Sequence, residues 1–109
     1  MSANVLTYAQ APAEETRYRA LLARRTATAA EDRQLHDEWR ALAASFPAGA
    51  RADEARVRAL DALLSAYRRA GEARDRERLR EEAGLYLQRA DAEQAGRVRA
   101  ILEAAGMQP

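Results

Sequence analysis

The sequence predicts an all-α single domain of four to five helices. Its apolar residues recur at the three- and four-residue spacing of amphipathic helices, and no segment shows the alternation of a strand. Alanine makes up roughly a quarter of the 109 residues, and every basic residue is arginine; both are strong helix formers. Two arrangements of these helices are compatible with the pattern, a compact bundle and a stack of helical hairpins.

The first helix is predicted to begin at Pro12. Proline suits the first position of a helix, and Glu14 and Glu15 would lie favourably at its positive end. Residues 1–11 contain apolar side chains without a helical period, so we expect an N-terminal arm there and a helical domain over residues 12–109.

The second helix is predicted to begin at Ala29. Thr28 and Glu31 have the spacing of a capping box, in which each side chain bonds the backbone N–H of the other residue. A narrow apolar stripe follows, made of Leu35, Trp39, Leu42 and Phe46. Pro47 and Gly49 then end the helix.

The third helix is predicted to be central, from about Ala52 to Ala70. It contains the densest set of large apolar residues in the chain, namely Val57, Leu60, Leu63, Leu64 and Tyr67. These side chains cover about half of the helix surface, so we expect this helix to contact more than one neighbour.

A turn near Gly71 is predicted to separate the third helix from the fourth. A continuous coiled coil is excluded because the next heptad positions fall on Gly71 and then on charged residues. The fourth helix has a new stripe of Leu79, Ala83, Tyr86 and Ala90, with Leu87 beside it. A cap-like segment at residues 91–94 predicts a fifth helix from about Ala92, which Gly106 would end.

Two short stretches resemble known helical families. Leu60, Leu63, Leu64, Tyr67 and Gly71 resemble the first helix of a tetratricopeptide hairpin, which would imply stacked hairpins. The sequence departs from that family where the second helix needs a small residue and has Arg76. Residues 56–64 also resemble the opening helix of all-helical chorismate mutases. That resemblance implies a pocket between helices in which Arg and Lys bind a dicarboxylate, but this chain has no Lys.

Composition excludes several classes of function. The chain has no Cys, so disulfides, thiolate metal sites and a cysteine nucleophile are absent, and without Lys there is no Schiff-base chemistry. The net charge of +1 is lower than phosphate-binding proteins usually carry. No apolar run approaches a membrane span and the start of the chain does not resemble a signal peptide, so we expect a cytoplasmic protein.

The residues that could support chemistry are few. His36 is the only histidine, and Arg33 stands where a di-iron bundle would have a glutamate, so we expect a boundary or surface histidine and no metal. The adjacent carboxylates at residues 37–38 and 81–82 point to different helix faces, which is typical of a solvated surface. We therefore predict no cofactor and no catalytic residue.

The sequence leaves three hypotheses for function. The first is a non-catalytic interaction, adaptor, assembly or chaperone-like module that binds a protein or a second copy, because large core residues are scarce. Its candidate partner-binding residues are Trp39, Tyr18, Tyr86, Leu85 and Leu87. The second is a helical nucleic-acid-binding protein with a basic surface of Arg68, Arg69, Arg74, Arg76, Arg78 and Arg80. The third is an enzyme with an Arg-lined pocket between helices.

Overall fold

A computed structural model describes the backbone of residues 2–107 and the side chains of residues 11–107. Within this part of the chain there are five helices: α1 (Ser2–Leu22), α2 (Ala29–Ser45), α3 (Ala52–Ala70), α4 (Ala73–Leu87) and α5 (Ala95–Ala104). They form one compact all-α bundle, which confirms the predicted fold class. None of these helices is long and apolar enough to cross a bilayer.

Helix α3 lies at the centre of the bundle and packs on α2, α4 and α5, as predicted. Its face toward α2 is a stripe of buried alanines, which let the two backbones approach closely. This stripe consists of Ala52, Ala55, Ala59, Ala62 and Ala66. Ala55 and Ala59 contact a first core cluster with Tyr18, Leu21, Trp39, Leu42 and Ala43.

The opposite side of α3 carries the large side chains and builds a second core cluster with α4 and α5. Its members from α3 are Val57, Leu60, Leu63 and Leu64, and those from the later helices are Leu79, Ala83, Tyr86, Val98, Ile101, Leu102, Ala105 and Met107. Since each fully buried Leu or Ile contributes about 1.5–3 kcal/mol, this cluster is the main source of stability.

Local signals fix three of the helix ends where the sequence predicted them. The Thr28 hydroxyl accepts from the Glu31 N–H at 3.1 Å and the Glu31 carboxylate accepts from the Thr28 N–H at 3.1 Å, which completes the capping box of α2. Gly71 ends α3 in the left-handed region at φ 66°. Gly106, at φ 75°, donates to Glu103 O while Met107 donates to Leu102 O, the Schellman pattern.

Two predicted helix starts are wrong. Helix α1 begins at Ser2, so Pro12 lies inside it rather than in its first turn. Proline's fixed φ is compatible with a helical backbone, but inside a helix the residue removes one backbone hydrogen bond and its ring crowds the carbonyl four residues earlier. Helix α5 begins at Ala95 instead of Ala92. The division into an arm and a domain at residue 12 stays a prediction, and the side chains of the first ten residues lie outside the description.

Candidate functional site

Helices α2 and α4 lie side by side on α3 and run in the same direction, bridged by polar side chains. Near their N-terminal ends, Arg33 donates from Nε and Nη2 to the Asp75 carboxylate at 2.9 and 2.7 Å. About one turn further along α2, Nε2 of His36 lies 2.8 Å from Oε1 of Glu82. Past Glu82 the bridging side chains stop, and a groove opens between the two helices above α3.

The groove has a volume of about 340 Å³ and an apolar floor. The buried residues at its base are Ala43, Ala59, Leu60 and Tyr86. The more exposed residues along its sides are Arg40, Ala44, Pro47, Arg56, Glu82, Leu85 and Arg89. Volumes of this size are typical of binding clefts, and an apolar base with a few polar groups at the edge is the usual composition of such clefts.

Leu85 stands at the edge of the groove with 65 % of its surface exposed. A single exposed leucine is common on protein surfaces. Here, however, the exposed side chain adjoins an apolar depression, so the two together form a continuous non-polar surface. We call this surface, with the lining residues given above, the α2–α4 groove.

Three arginines surround the α2–α4 groove, and they differ in how far their charge is neutralised. Arg89 makes two bonds to the Asp91 carboxylate, from Nε at 2.9 Å and Nη2 at 3.1 Å. Arg40 donates one bond from Nη1 to Glu82 at 3.2 Å. Arg56 donates only to the backbone oxygen of Pro47, at 3.3 Å, and among the described residues it has no carboxylate within 4 Å.

Glu82 closes one end of the groove and is the centre of a charged network. Its carboxylate bonds His36 through Oε1 and accepts from Arg40 and Arg78 through Oε2, at 3.2 and 3.1 Å. Burial by itself would raise the pKa of Glu82. The bond to His36 and the charges of His36 and Arg40 outweigh burial and bring this pKa below its ordinary value. Glu82 therefore stays a carboxylate at neutral pH.

His36 is completely buried, so the prediction of a boundary or surface histidine is wrong. The reason is Glu82, which supplies a hydrogen-bond partner from a helix 46 residues away in the chain. The other ring nitrogen, Nδ1, lies 2.9 Å from Oδ1 of Asp37. The prediction that Glu82 lies on a solvated surface is also wrong, because this side chain is largely buried between α2 and α4.

Tyr86 joins the groove to the second core and to the start of α5. Its hydroxyl donates to Oδ1 of Asp53 at 2.7 Å and accepts from the backbone N–H of Gln94 at 2.9 Å. Burial, together with the bond to Asp53, raises the pKa of Tyr86 to about 12. Gln94 is the N-cap residue of α5, so this phenol holds the N-terminus of that helix.

Of the five predicted partner-binding residues, only Leu85 has a freely exposed side chain. Trp39, Tyr18 and Tyr86 are 2, 8 and 4 % exposed. Trp39 and Tyr18 pack edge to face in the first core cluster, at a centroid distance of 5.7 Å, so the chain itself covers these rings. Leu87 is half-buried against the second core cluster. The structure thus brings Leu85 and Tyr86 to the groove and places the other three in the interior.

The predicted basic surface is largely neutralised by acceptors of the same chain. Arg69 donates to Asp32 and to two backbone oxygens, and Arg76 donates to the backbone oxygens of Ala105 and Gly106 at the end of α5. Ion pairs to nearby carboxylates are made by Arg74, Arg78 and Arg80. Among the described residues, Arg68 alone of the six makes none of these contacts.

Sequence reasoning missed the arginines of the groove. Arg40, Arg56 and Arg89 come from three different parts of the chain, and only their packing on α3 brings them together. A pocket lined by arginines between helices was predicted as a class, but no residues were assigned to it. Within residues 11–107, no group of three or more His, Asp or Glu side chains is arranged to hold a metal ion.

Comparison with protein-family models, with curated proteins and with solved structures gives no match. The resemblances to tetratricopeptide hairpins and chorismate mutases therefore rest on the residues quoted for them.

Proposed function

We propose that this protein is a non-catalytic interaction module, an adaptor or assembly subunit of the cytoplasm, and that it binds another protein through the α2–α4 groove. The observation that carries this proposal is the exposed Leu85 beside an apolar depression with three arginines around it. A docking surface needs an apolar centre with polar groups at its edge, and the groove has this composition.

The energetics favour a protein partner. Covering the exposed 65 % of Leu85 with an apolar side chain contributes about 1–2 kcal/mol, and further contacts with the base of the groove add to this. Arginine is also enriched among the residues that contribute most to binding energy at protein interfaces.

The state of the titratable lining groups argues against catalysis. Besides its arginines, the groove is lined by two such groups, Glu82 and Tyr86. Glu82 is held by His36, Arg40 and Arg78. The Tyr86 hydroxyl has both a donor and an acceptor within the chain. A general acid or base must reach its substrate, whereas these two groups are occupied by structural bonds.

The alternative of nucleic-acid binding is less favoured, because most arginines of the predicted basic surface contact acceptors of the same chain. The two proposals differ in their response to salt. Binding to phosphates weakens steeply as salt increases, because counterions are released from the nucleic acid. Measuring the affinity for a mixed-sequence duplex and for single-stranded RNA between low and physiological salt would test this alternative.

Photo-crosslinking in the native host tests the proposed function. A benzoylphenylalanine is placed at position 85, at the edge of the groove, and in a separate variant at position 100. Ala100 is an exposed residue of α5, a helix that contributes nothing to the groove. We expect a discrete protein adduct from position 85 that is absent from position 100. That adduct should also be lost when Ala44, on the opposite side of the groove, is replaced by Glu.

Equal adducts from both positions, or none from position 85, would contradict docking at this groove. Insensitivity of the adduct to the substitution at Ala44 would contradict it as well. Circular dichroism melts of each variant show that the fold is retained, so that loss of the adduct reports on the surface.

A further inference from the structure

We infer that the partner segment held by the α2–α4 groove is acidic: an apolar side chain packs beside Leu85 and carboxylates of the same segment pair with Arg56 and its two neighbouring arginines. This inference rests on the proposed function, since it names the chemistry of the partner at the same site. The evidence for an acidic partner is the arrangement of charged side chains around the groove.

Arg56 is the main anchor for an incoming carboxylate. It is half-buried and lines the groove, yet within the described part of the chain its one hydrogen bond goes to the backbone oxygen of Pro47 at 3.3 Å. A guanidinium has five N–H donors, so most of the donors of Arg56 are not used within residues 11–107. A carboxylate is the side-chain group that matches the paired N–H geometry of such a guanidinium.

Arg89 and Arg40 add donors on either side of this anchor. Arg89 uses Nε and Nη2 for Asp91, which fixes the guanidinium and leaves Nη1 without an acceptor among the described residues. Arg40 uses one bond, to Glu82. Glu82 and Asp91 are the carboxylates that pair with Arg40 and Arg89, and Glu82 is shared with Arg78. Arg56 is thus the arginine of the groove that no ion pair within 4 Å offsets among the described residues, and an incoming carboxylate would pair with it.

A second copy of the chain is a poorer occupant than an acidic segment. In a two-fold symmetric pair, the same patch faces itself. The arginines of one groove would then meet those of the other, and like charges brought together at an interface are destabilising. Charge complementarity therefore selects a different chain, one with acidic residues around an apolar anchor.

Selection from a displayed library of random peptides tests the inference. The wild-type protein is the bait in the selection. The selected clones are then tested for binding to the Leu85→Ser variant, and clones that bind this variant more weakly than wild type are taken to bind at the groove. We expect the clones that depend on Leu85 to be enriched in Asp and Glu next to a large apolar residue, relative to the unselected library. Synthetic versions of these clones, labelled with fluorescein, give affinities by anisotropy.

Substitution of Arg56 should show how much the charge of the groove, as opposed to its shape, contributes to peptide affinity. We expect Arg56→Gln to weaken binding of the selected peptides by about two- to fivefold, as for the loss of one exposed ion pair. Arg89→Gln is a second variant of the same kind, in case Arg56→Gln disturbs the turn at Pro47. Arg99→Gln, on the exposed surface of α5, is the matched control and should change affinity less than about twofold.

The outcomes distinguish the inference from the proposed function. Two results would contradict the inference of an acidic partner but not the proposal of a docking groove. One is a set of Leu85-dependent clones that are neutral or basic. The other is a set of clones that bind Arg56→Gln and Arg89→Gln as tightly as wild type. A selection in which no clone depends on Leu85 would overturn both. Weaker binding to wild type at higher salt, together with acidic clones, supports the inference.

Discussion

The carboxylate of Glu14 occupies the space that a side chain at Gly49 would need. Glu14 is buried, and its Oε2 accepts a hydrogen bond from the backbone N–H of Arg51 at 2.9 Å, just where α3 begins. A Cβ built on Gly49 would overlap this carboxylate. The turn between α2 and α3, which carries Pro47 of the groove, is thus held in place by a residue of α1.

Replacing Gly49 with alanine should destabilise the protein by about 1–2 kcal/mol, because the Glu14 carboxylate must move away and give up a charge-assisted hydrogen bond. Glu14→Ala should cost a similar amount for the same reason. If the two changes act through this contact, the double variant should cost less than the sum of the single ones. Urea denaturation of the four proteins measures this coupling, and strictly additive free energies would show that the contact is not the cause.

Removing the Glu82 carboxylate should leave the buried ring of His36 without its partner on α4. We expect Glu82→Ala to lower the free energy of unfolding by about 1–3 kcal/mol. Its neighbour Glu81 is exposed and makes no ion pair among the described residues, so Glu81→Ala should stay within about 0.5 kcal/mol of wild type. Equal effects of the two substitutions in chemical denaturation would contradict the structural role of the His36–Glu82 pair.

Acid should weaken the attachment of α1. Hydrogen bonds from Arg51 and then from Arg19 lower the pKa of Glu15 from 4.5 to about 2. A lowered pKa means that the carboxylate stabilises the fold above pH 4.5, and that this contribution is lost as the pH falls from 4.5 toward 2.

Accordingly, the difference in stability between wild type and Glu15→Gln should shrink over this acidic range. Glu103→Gln is the control, since this exposed residue of α5 makes no ion pair among the described residues. Urea unfolding at a series of pH values measures both differences. A difference for Glu15→Gln that stays constant with pH would rule out the ion pair as its source.

Tyr86→Phe should lower the stability of the fold without changing the affinity of the groove for peptides. The substitution removes the hydroxyl that bonds Asp53 and Gln94 but keeps the ring that lines the groove, so we expect a loss of about 1–2 kcal/mol in stability and unchanged peptide affinity. In wild type this contribution should fade as the pH rises from 10 to about 12, where the phenol ionises.

Tyr67→Phe is the matched control for Tyr86→Phe. The Tyr67 side chain is half-buried, and its hydroxyl makes no hydrogen bond within residues 11–107. We expect little change in stability from this substitution. If it destabilises the protein as much as Tyr86→Phe does, the hydroxyl network around Tyr86 is not responsible.

The parts of the fold that could be predicted are those set by nearby residues. The capping box of Thr28 and Glu31 fixes the start of α2, and the left-handed conformation of Gly71 ends α3. The apolar width of α3 also indicated that it lies at the centre. The start of α5 was missed because the Tyr86 hydroxyl bonds the backbone N–H of Gln94, and no local pattern encodes that contact.

The candidate site could be predicted only in part. Leu85 was identified because it points away from the stripe of its own helix, and this is a local property. The burial of His36 depends on Glu82, and the convergence of Arg40, Arg56 and Arg89 depends on three segments packed together. Helical periodicity describes one helix at a time, so it cannot show which charged faces meet across a groove.

The most direct test of the docking groove is an NMR titration of the full chain with the partner segment that crosslinks to position 85. We expect the largest shifts on the methyl groups of Ala43, Ala44, Ala59 and Leu85 in the α2–α4 groove. A second, smaller cleft between α1 and α2 is lined by Ala20, Leu21 and Ala41, and Leu22 next to it is exposed. Shifts concentrated at these residues instead would contradict docking at the α2–α4 groove.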